Sequence, residues 1–247
     1  GQDVVLTIDR TTQYEVCSKI QEAVRSFEAQ SGSVIVMDPQ TGAVLAMCSY
    51  PDFDPAQIGK IKEVSVLNNP ATFYEYEPGS IFKPLTLAAG LDAGKISPDT
   101  TYIDTGLEVI DGFPIRNSDK EAHGVQTMTQ VLEKSLNTGT IFVQRLLGRE
   151  MFREYVKQFG LGAKTGIELK SEVDGDISAL DRKGKVFAAT VSYGQGMTAT
   201  PLQMVQAYAA LGNGGRVMKP YIVAETIRPD GSREVTQPQV LSQVVKP

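Results

Sequence analysis

The sequence predicts an α+β fold, a small antiparallel β part set against at least four helices. Three observations lead there. A hairpin pattern punctuated by Pro and Gly lies near the start, helical segments with apolar residues three and four apart fill the middle, and 41% of the 247 residues are apolar while 21% are charged. That composition belongs to a folded domain rather than a disordered chain, and the length suits one large domain or two small ones.

The elements follow in order. Val4 to Ile8 reads as a strand, and Thr11 to Ala29 as an amphipathic helix with Tyr14, Cys17, Ile20, Val24 and Phe27 on its apolar stripe. Ser33 to Met37 and Ala43 to Met47 form the hairpin arms around Asp38-Pro39-Gln40-Thr41-Gly42. Tyr50 to Tyr76, with many polar, Pro and Asn residues, reads as an irregular excursion. Helical patterns cover Ser80 to Ala93, Gln130 to Leu147, Arg149 to Phe159 and Thr200 to Leu211. The last has Pro201 at its first position and Gly212-Asn213-Gly214-Gly215 at its end. Tyr221 to Ala224 is a short strand pattern, and Asp230-Gly231 a turn. Strands that would complete a packable sheet are not evident, so the sheet is either very small or continued elsewhere.

Composition narrows the function. The net charge of -5 is dispersed and no Lys/Arg run exceeds two residues, which disfavours a nucleic-acid role. One histidine, His123, leaves little for a zinc site. The two cysteines, Cys17 and Cys48, read as small buried hydrophobes. No apolar run reaches membrane-spanning length and no signal peptide opens the chain. The abrupt strand-like opening reads as that of an excised domain.

The sharpest local feature is Glu77-Pro78-Gly79-Ser80-Ile81-Phe82-Lys83-Pro84. Pro and Gly set up a tight entry to a helix, and residues three apart share a face, so the Ser80 hydroxyl and the Lys83 amine can meet. A serine hydroxyl becomes a useful nucleophile when a base takes its proton, and an amine can be that base only when neutral. The plain alternative is an N-cap serine beside a solvated lysine. Against it, Lys83 is the only charge before Asp92 in an otherwise apolar helix, and burying a lysine is costly. In Lys134-Ser135-Leu136-Asn137-Thr138, two polar residues at i and i+2 require a local turn to reach one spot. Ser135 could relay a proton there and Asn137 could bind an amide; helix capping is the alternative.

These motifs resemble those of the transpeptidase domain of class B penicillin-binding proteins. Ser80-Ile81-Phe82-Lys83 is similar to the family's Ser-x-x-Lys, and Ser135-Leu136-Asn137 to its Ser-x-Asn. The resemblance extends through Asp3 to Asp9, Gly32 to Ser49, Tyr50 to Pro55, Gly160 to Leu169, Tyr193-Gly194-Gln195-Gly196 and Thr200 to Gly215. Lys164-Thr165-Gly166 is similar to an upstream family segment, followed here by Ile167-Glu168-Leu169, and not to the third catalytic motif. The resemblance therefore implies that the chain stops before that motif and the last strands.

The resemblance implies one transpeptidase domain over 1–247, with a central antiparallel sheet flanked by helices as in serine β-lactamases. It implies Ser80 as nucleophile, Lys83 as base, and Ser135 and Asn137 as further catalytic residues, with no cofactor or metal. Substrates would be D-Ala-D-Ala stem peptides of peptidoglycan and an acceptor amine, and β-lactams would acylate Ser80. The implied setting is the outer side of a bacterial membrane, on a single-pass anchor, beside a wall-synthesis glycosyltransferase and division or elongation proteins. A β-lactamase or penicillin sensor shares the Ser-Lys start, and a catalytically silent scaffold is a third possibility. Asn117, Ser118 and Asp119 form a polar patch that either lines the cleft or makes a surface turn. Glu121 and His123 read as surface residues, and Tyr193 to Gly196 as a loop shaping the site.

Overall fold

The computed structural model describes residues 1–61 and 67–247; part of the predicted excursion from Tyr50 to Tyr76 lies outside them. Strand β1 (Asp3–Leu6) pairs antiparallel with β9 (Val223–Ile227), which also carries β10 (Arg233–Val235). The Asp230-Gly231 turn joins β9 to β10, as the sequence predicts, with Gly231 N–H donating to Arg228 O at 2.9 Å. Helix α1 (Arg10–Ser26) starts at Asp9, whose carboxylate accepts from Thr12 N–H at 2.7 Å. Strands β2 (Gly32–Met37) and β3 (Val44–Tyr50) form the predicted hairpin, with Ile35 opposite Met47. Beyond β1 the chain is stitched to the hairpin by Asp9 N–H donating to Leu45 O at 2.9 Å.

The inner face of α1 differs from the predicted stripe. Tyr14 and Phe27 are exposed, at 71% and 83%. Gln13 turns inward instead: its amide accepts from Met47 N–H at 2.8 Å and donates to Met47 O at 2.9 Å, pairing with β3 as a strand would. Cys17 and Cys48 are half-buried and joined by a disulfide, which corrects their reading as two isolated small hydrophobes. Sequence spacing alone carries no pairing signal for two cysteines; the pairing arises because α1 lies along β3.

A short helix α2 (Pro70–Phe73) leads towards a 3₁₀ turn, Gly79–Phe82, that runs straight into α3 (Lys83–Asp92). Four short strands follow: β4 (Thr101–Asp104), β5 (Leu107–Ile110), β6 (Phe113–Arg116) and β7 (Gly124–Thr127). β4 pairs with β7 and β5 with β6. The sequence did not predict them, because each has four residues, too few for a period to show, and the buried positions of β4 include the charged Asp104. The single helix predicted over Gln130 to Leu147 is two, α4 (Met128–Glu133) and α5 (Asn137–Leu147). They are followed by α6 (Arg149–Gln158), α7 (Lys185–Val191) and α8 (Pro201–Gly212). Thr200 and Gln203 form a capping box on α8. β8 (Arg216–Met218) pairs with β11 (Val240–Gln243) near the end of the chain.

The class is therefore α+β, with the β structure among the described residues divided into one three-stranded and four two-stranded sheets. The main core packs Phe82, Leu85, Met128, Val131, Leu136, Val143, Phe152 and Phe159 between the helices. Helix α3 runs through it, with Leu85, Thr86, Leu87, Ala89 and Gly90 all buried. It is a core helix, which fits its nearly uninterrupted apolar sequence.

The disulfide closes a loop across a sequence separation of 31 residues, and bridges of this kind typically contribute about 2–4 kcal/mol by restricting the unfolded chain. A Cys17→Ser/Cys48→Ser variant should therefore unfold at lower denaturant concentration than the parent by roughly that free energy. An unchanged urea midpoint would show that the bridge does not brace α1 against the hairpin.

Candidate active site

Three chain segments converge here. The first is the turn Gly79–Phe82, whose sequence makes it sharp: Pro78 is buried, Gly79 has φ 61°, and Phe82 is fully buried as an anchor. Its 3₁₀ geometry matters to the chemistry. Lys83 N–H donates to Ser80 O, and in a 3₁₀ turn the side chains at i and i+3 eclipse one another. Ser80 and Lys83 thus project from the same side more directly than an α-helix would allow. Ser80 is exposed, while Lys83 is 1% exposed.

The second segment is the α4–α5 junction. Helix α4 ends in a Schellman arrangement: Ser135 N–H donates to Leu132 O at 3.1 Å and Leu136 N–H to Val131 O at 3.0 Å. The left-handed position that usually carries glycine is occupied by Ser135, with φ 54°. This turn aims both Ser135 oxygens at the lysine. Lys83 Nζ donates to Ser135 Oγ at 2.9 Å and also to the Ser135 carbonyl. Asn137, first in α5, donates from Nδ2 to Arg116 O at 2.8 Å, which leaves its side-chain oxygen available.

The third segment is the loop after α7. Gly79 N–H donates to Gly194 O at 2.8 Å, and Gly196 N–H to a Glu77 carboxylate oxygen at 2.9 Å. A Cβ on Gly194 would lie 2.2 Å from Gly79 O, so only glycine lets this loop lie directly on the Ser80 turn. Thr86 Oγ1 donates to Ser192 O at 2.8 Å, tying α3 to the same loop. The loop is a brace for the turn.

Among the described residues, no carboxylate forms an ion pair with Lys83. Burial without a counter-charge lowers its pKa to about 8, so the neutral amine is a minor but accessible form near neutral pH. The amine's hydrogen bonds run to Ser135; among the described residues none joins it to the Ser80 hydroxyl, which is exposed one 3₁₀ turn away.

The remaining sequence candidates lie as follows. Asn117 is buried and bonded to Asp104, so the polar patch is not a surface turn at that position, whereas Asp119 is exposed. His123 Nε2 pairs with Asp119 Oδ2 at 2.8 Å. Thr165 and Gly166 belong to a loop bonded to Glu172, with Thr165 N–H to Glu172 Oε1 at 2.8 Å. Asp104, which holds Asn117 and Thr138, escaped the sequence reading; the one signal was an acidic residue at an inward position of a short strand.

Known proteins share the sequence family and the fold. Residues 32–247 match the family described as the penicillin binding protein transpeptidase domain. Stage V sporulation protein D of Bacillus subtilis is 37% identical over 230 residues, which cover 93% of this chain and 36% of that protein. Penicillin-binding protein PbpB of Mycobacterium tuberculosis is 36% identical over 236 residues, covering 94% of this chain and 34% of that protein. The crystal structure of penicillin binding protein 3 from M. tuberculosis, complexed with aztreonam, superposes with a TM-score of 0.92 at 35% identity, covering 100% of this chain and 55% of that one. The chain belongs to the penicillin-binding protein transpeptidase family, on the class B side. It spans about a third of the length of these two curated relatives.

Two outcomes follow from the site's construction. Because folding lowers the Lys83 pKa from 10.5 to about 8, the unfolded chain holds more protons between those values, and stability should rise with pH across that window. Urea melts of the parent and of Lys83→Met should differ by that slope; parallel curves would mean that folding does not lower the Lys83 pKa. Ser135→Gly relieves a left-handed serine, a strain of roughly 1–2 kcal/mol, while removing the hydroxyl. Its thermal midpoint should not fall, and a marked fall would show that the hydroxyl's bond to Lys83 outweighs the backbone relief.

Proposed function

We propose that the protein is a peptidoglycan D,D-transpeptidase, and that residues 1–247 form one transpeptidase domain acting through Ser80. Neutral Lys83 takes the Ser80 proton as Oγ attacks the penultimate D-Ala carbonyl of a stem peptide. Backbone donors, the Ser80 N–H among them, stabilise the oxyanion, as such donors do for about two to three powers of ten in rate. The tetrahedral intermediate collapses by breaking the peptide bond, and Ser135 passes the proton from Lys83 to the departing terminal D-alanine amine. Asn137 offers its free amide oxygen to a donor N–H of the peptide. An amine of a second stem then attacks the acyl-enzyme, forms the cross-link and regenerates Ser80.

The observation that carries this reading is the buried, unpaired Lys83 amine, bonded to Ser135 and one 3₁₀ turn from an exposed serine. A β-lactam presents a strained amide to the same hydroxyl and would acylate it. The M. tuberculosis protein that shares this fold was crystallised with aztreonam, which supports β-lactams as ligands here.

The same reading places the domain on the outer side of a bacterial membrane, carried by a single-pass anchor in the protein. Among the described residues no helix is long and apolar enough to cross a membrane. The Cys17–Cys48 disulfide supports an oxidising, extracytoplasmic setting. A wall-synthesis glycosyltransferase and division or elongation proteins are the expected partners.

Fluorescent penicillin should label the purified protein, with the adduct mapping by mass spectrometry to Ser80 and lost in Ser80→Ala. The labelling rate should climb with pH towards a plateau, with an apparent pKa near 8 set by Lys83. An adduct on another residue would overturn the assignment. Rapid release of the label by hydrolysis would make the protein a β-lactamase instead.

A further inference from the structure

Outside the residues assigned above, the most completely bonded polar group near the site is Asp104. It is 1% exposed, and among the described residues no cation pairs with it. Hydrogen-bond donors surround it instead. Oδ1 accepts from Gly106 N–H at 2.9 Å, from Asn117 Nδ2 at 3.0 Å and from Thr138 Oγ1 at 2.8 Å. Oδ2 accepts from Asn117 Nδ2 at 2.9 Å and His123 N–H at 3.1 Å. Burial alone would raise its pKa, but the donors from Gly106, Thr138, His123 and Asn117 outweigh it and hold the carboxyl below the usual range. A buried carboxylate satisfied only by neutral donors is costly to assemble and specific in geometry.

What Asp104 grips is informative. Thr138 follows Asn137 in the chain, and Asn117 follows Arg116, whose carbonyl accepts the Asn137 side chain. Asn117 Oδ1 in turn accepts from Thr138 N–H at 3.2 Å. Asp104 therefore clamps the neighbours of both partners in the one hydrogen bond that orients the Asn137 amide. Tyr102, two residues earlier on β4, adds its hydroxyl to Thr138 Oγ1 at 3.1 Å.

We infer that Asp104 is a positioning residue for the acyl-transfer site: it locks β6 to the start of α5 so that the Asn137 amide is presented in one orientation to the amide of the incoming peptide or β-lactam. This rests on the reading of Ser80 and Asn137 given above. Asp104 does not touch substrate; it acts through Thr138, Asn117 and Asn137.

Asp104→Asn tests this with little change of shape. Whichever way the new amide is turned, its NH₂ group faces donors where a carboxylate oxygen accepted. Two probes distinguish positioning from general damage. One is a fluorescent penicillin with an amide side chain; the other is a small alkyl fluorophosphonate, which reports on Ser80 reactivity without an amide to bind. In the parent protein both should label Ser80, and if neither does, the site assignment fails rather than this inference. In Asp104→Asn, penicillin labelling should slow roughly tenfold, the scale of one misplaced hydrogen bond involving a charged group, while fluorophosphonate labelling stays within about twofold on the same scale. Asn137→Ala should slow penicillin labelling similarly, and the double variant should be no slower than Asn137→Ala alone. Thr138→Val, which removes the hydroxyl that joins Asp104 to Tyr102 and Asn117 but leaves the carboxylate in place, should show the same split between probes and decides the matter if Asp104→Asn does not fold. Equal slowing with both probes, unchanged penicillin labelling, or additive losses in the double variant would each overturn the proposal.

Discussion

An ammonium group taken out of water needs a counter-charge, or it gives up much of its charge. Lys83 lies at the first position of a core helix, nearly inaccessible, with Ser135 oxygens as its hydrogen-bond partners and a pKa lowered to about 8 by burial. Much of the surrounding structure serves that placement. Phe82 and Leu85 exclude solvent on either side of it in sequence, and the α4–α5 junction folds back to supply the two acceptors. Bonding to a carbonyl favours a donor at that point in either protonation state. Desolvation therefore adjusts the amine without letting it swing away.

Two turns in unusual conformations meet across this lysine, and each is held from outside. The Ser80 turn, with Gly79 at positive φ, rests on the Tyr193 to Gly196 loop at a distance that only Gly194 permits. The Ser135 turn places a non-glycine residue in the left-handed region, which persists where surrounding structure over-determines it. Leu136, fully buried just after it, and the Asp104 network just beyond supply that determination. Each of these two turns combines a positive-φ residue with a hydroxyl-bearing serine.

Much of this was legible in the sequence where a physical signal is local. The hairpin between Gly32 and Tyr50, the capped start of α8 and the three-residue spacing of Ser80 and Lys83 all rest on short-range rules, and the structure contains each element. Other features depend on what lies opposite in space. Nothing in α1 distinguishes Gln13 from a surface residue until Met47 presents a strand backbone to it. Cys17 and Cys48 pair because α1 lies along β3, a relation that spacing does not encode. The four strands from Thr101 to Thr127 are too short for a period to appear, and their buried positions include Asp104, Asn117's partner and a charged residue. The break at Ser135 ran against helix-like spacing on both sides, although two polar residues at i and i+2 already demanded a turn there.

The site is thus assembled from three stretches far apart in the chain, around Ser80, Ser135 and Gly194, and α3 is the element common to all of them. One end of α3 carries the lysine; one turn further on, Thr86 is fastened to Ser192. The lysine's amine reaches the second stretch and the serine's turn rests on the third. A sequence change in any of the three can therefore reach the amine without touching it, by shifting how deeply it is buried or which oxygen it meets. Since the amine's protonation depends on burial and not on a paired charge, small rearrangements of packing translate directly into base strength. The positive-φ backbone at Gly79, Ser135 and Gly194, and the close approach of Gly194 to Gly79, hold that packing in place around the amine.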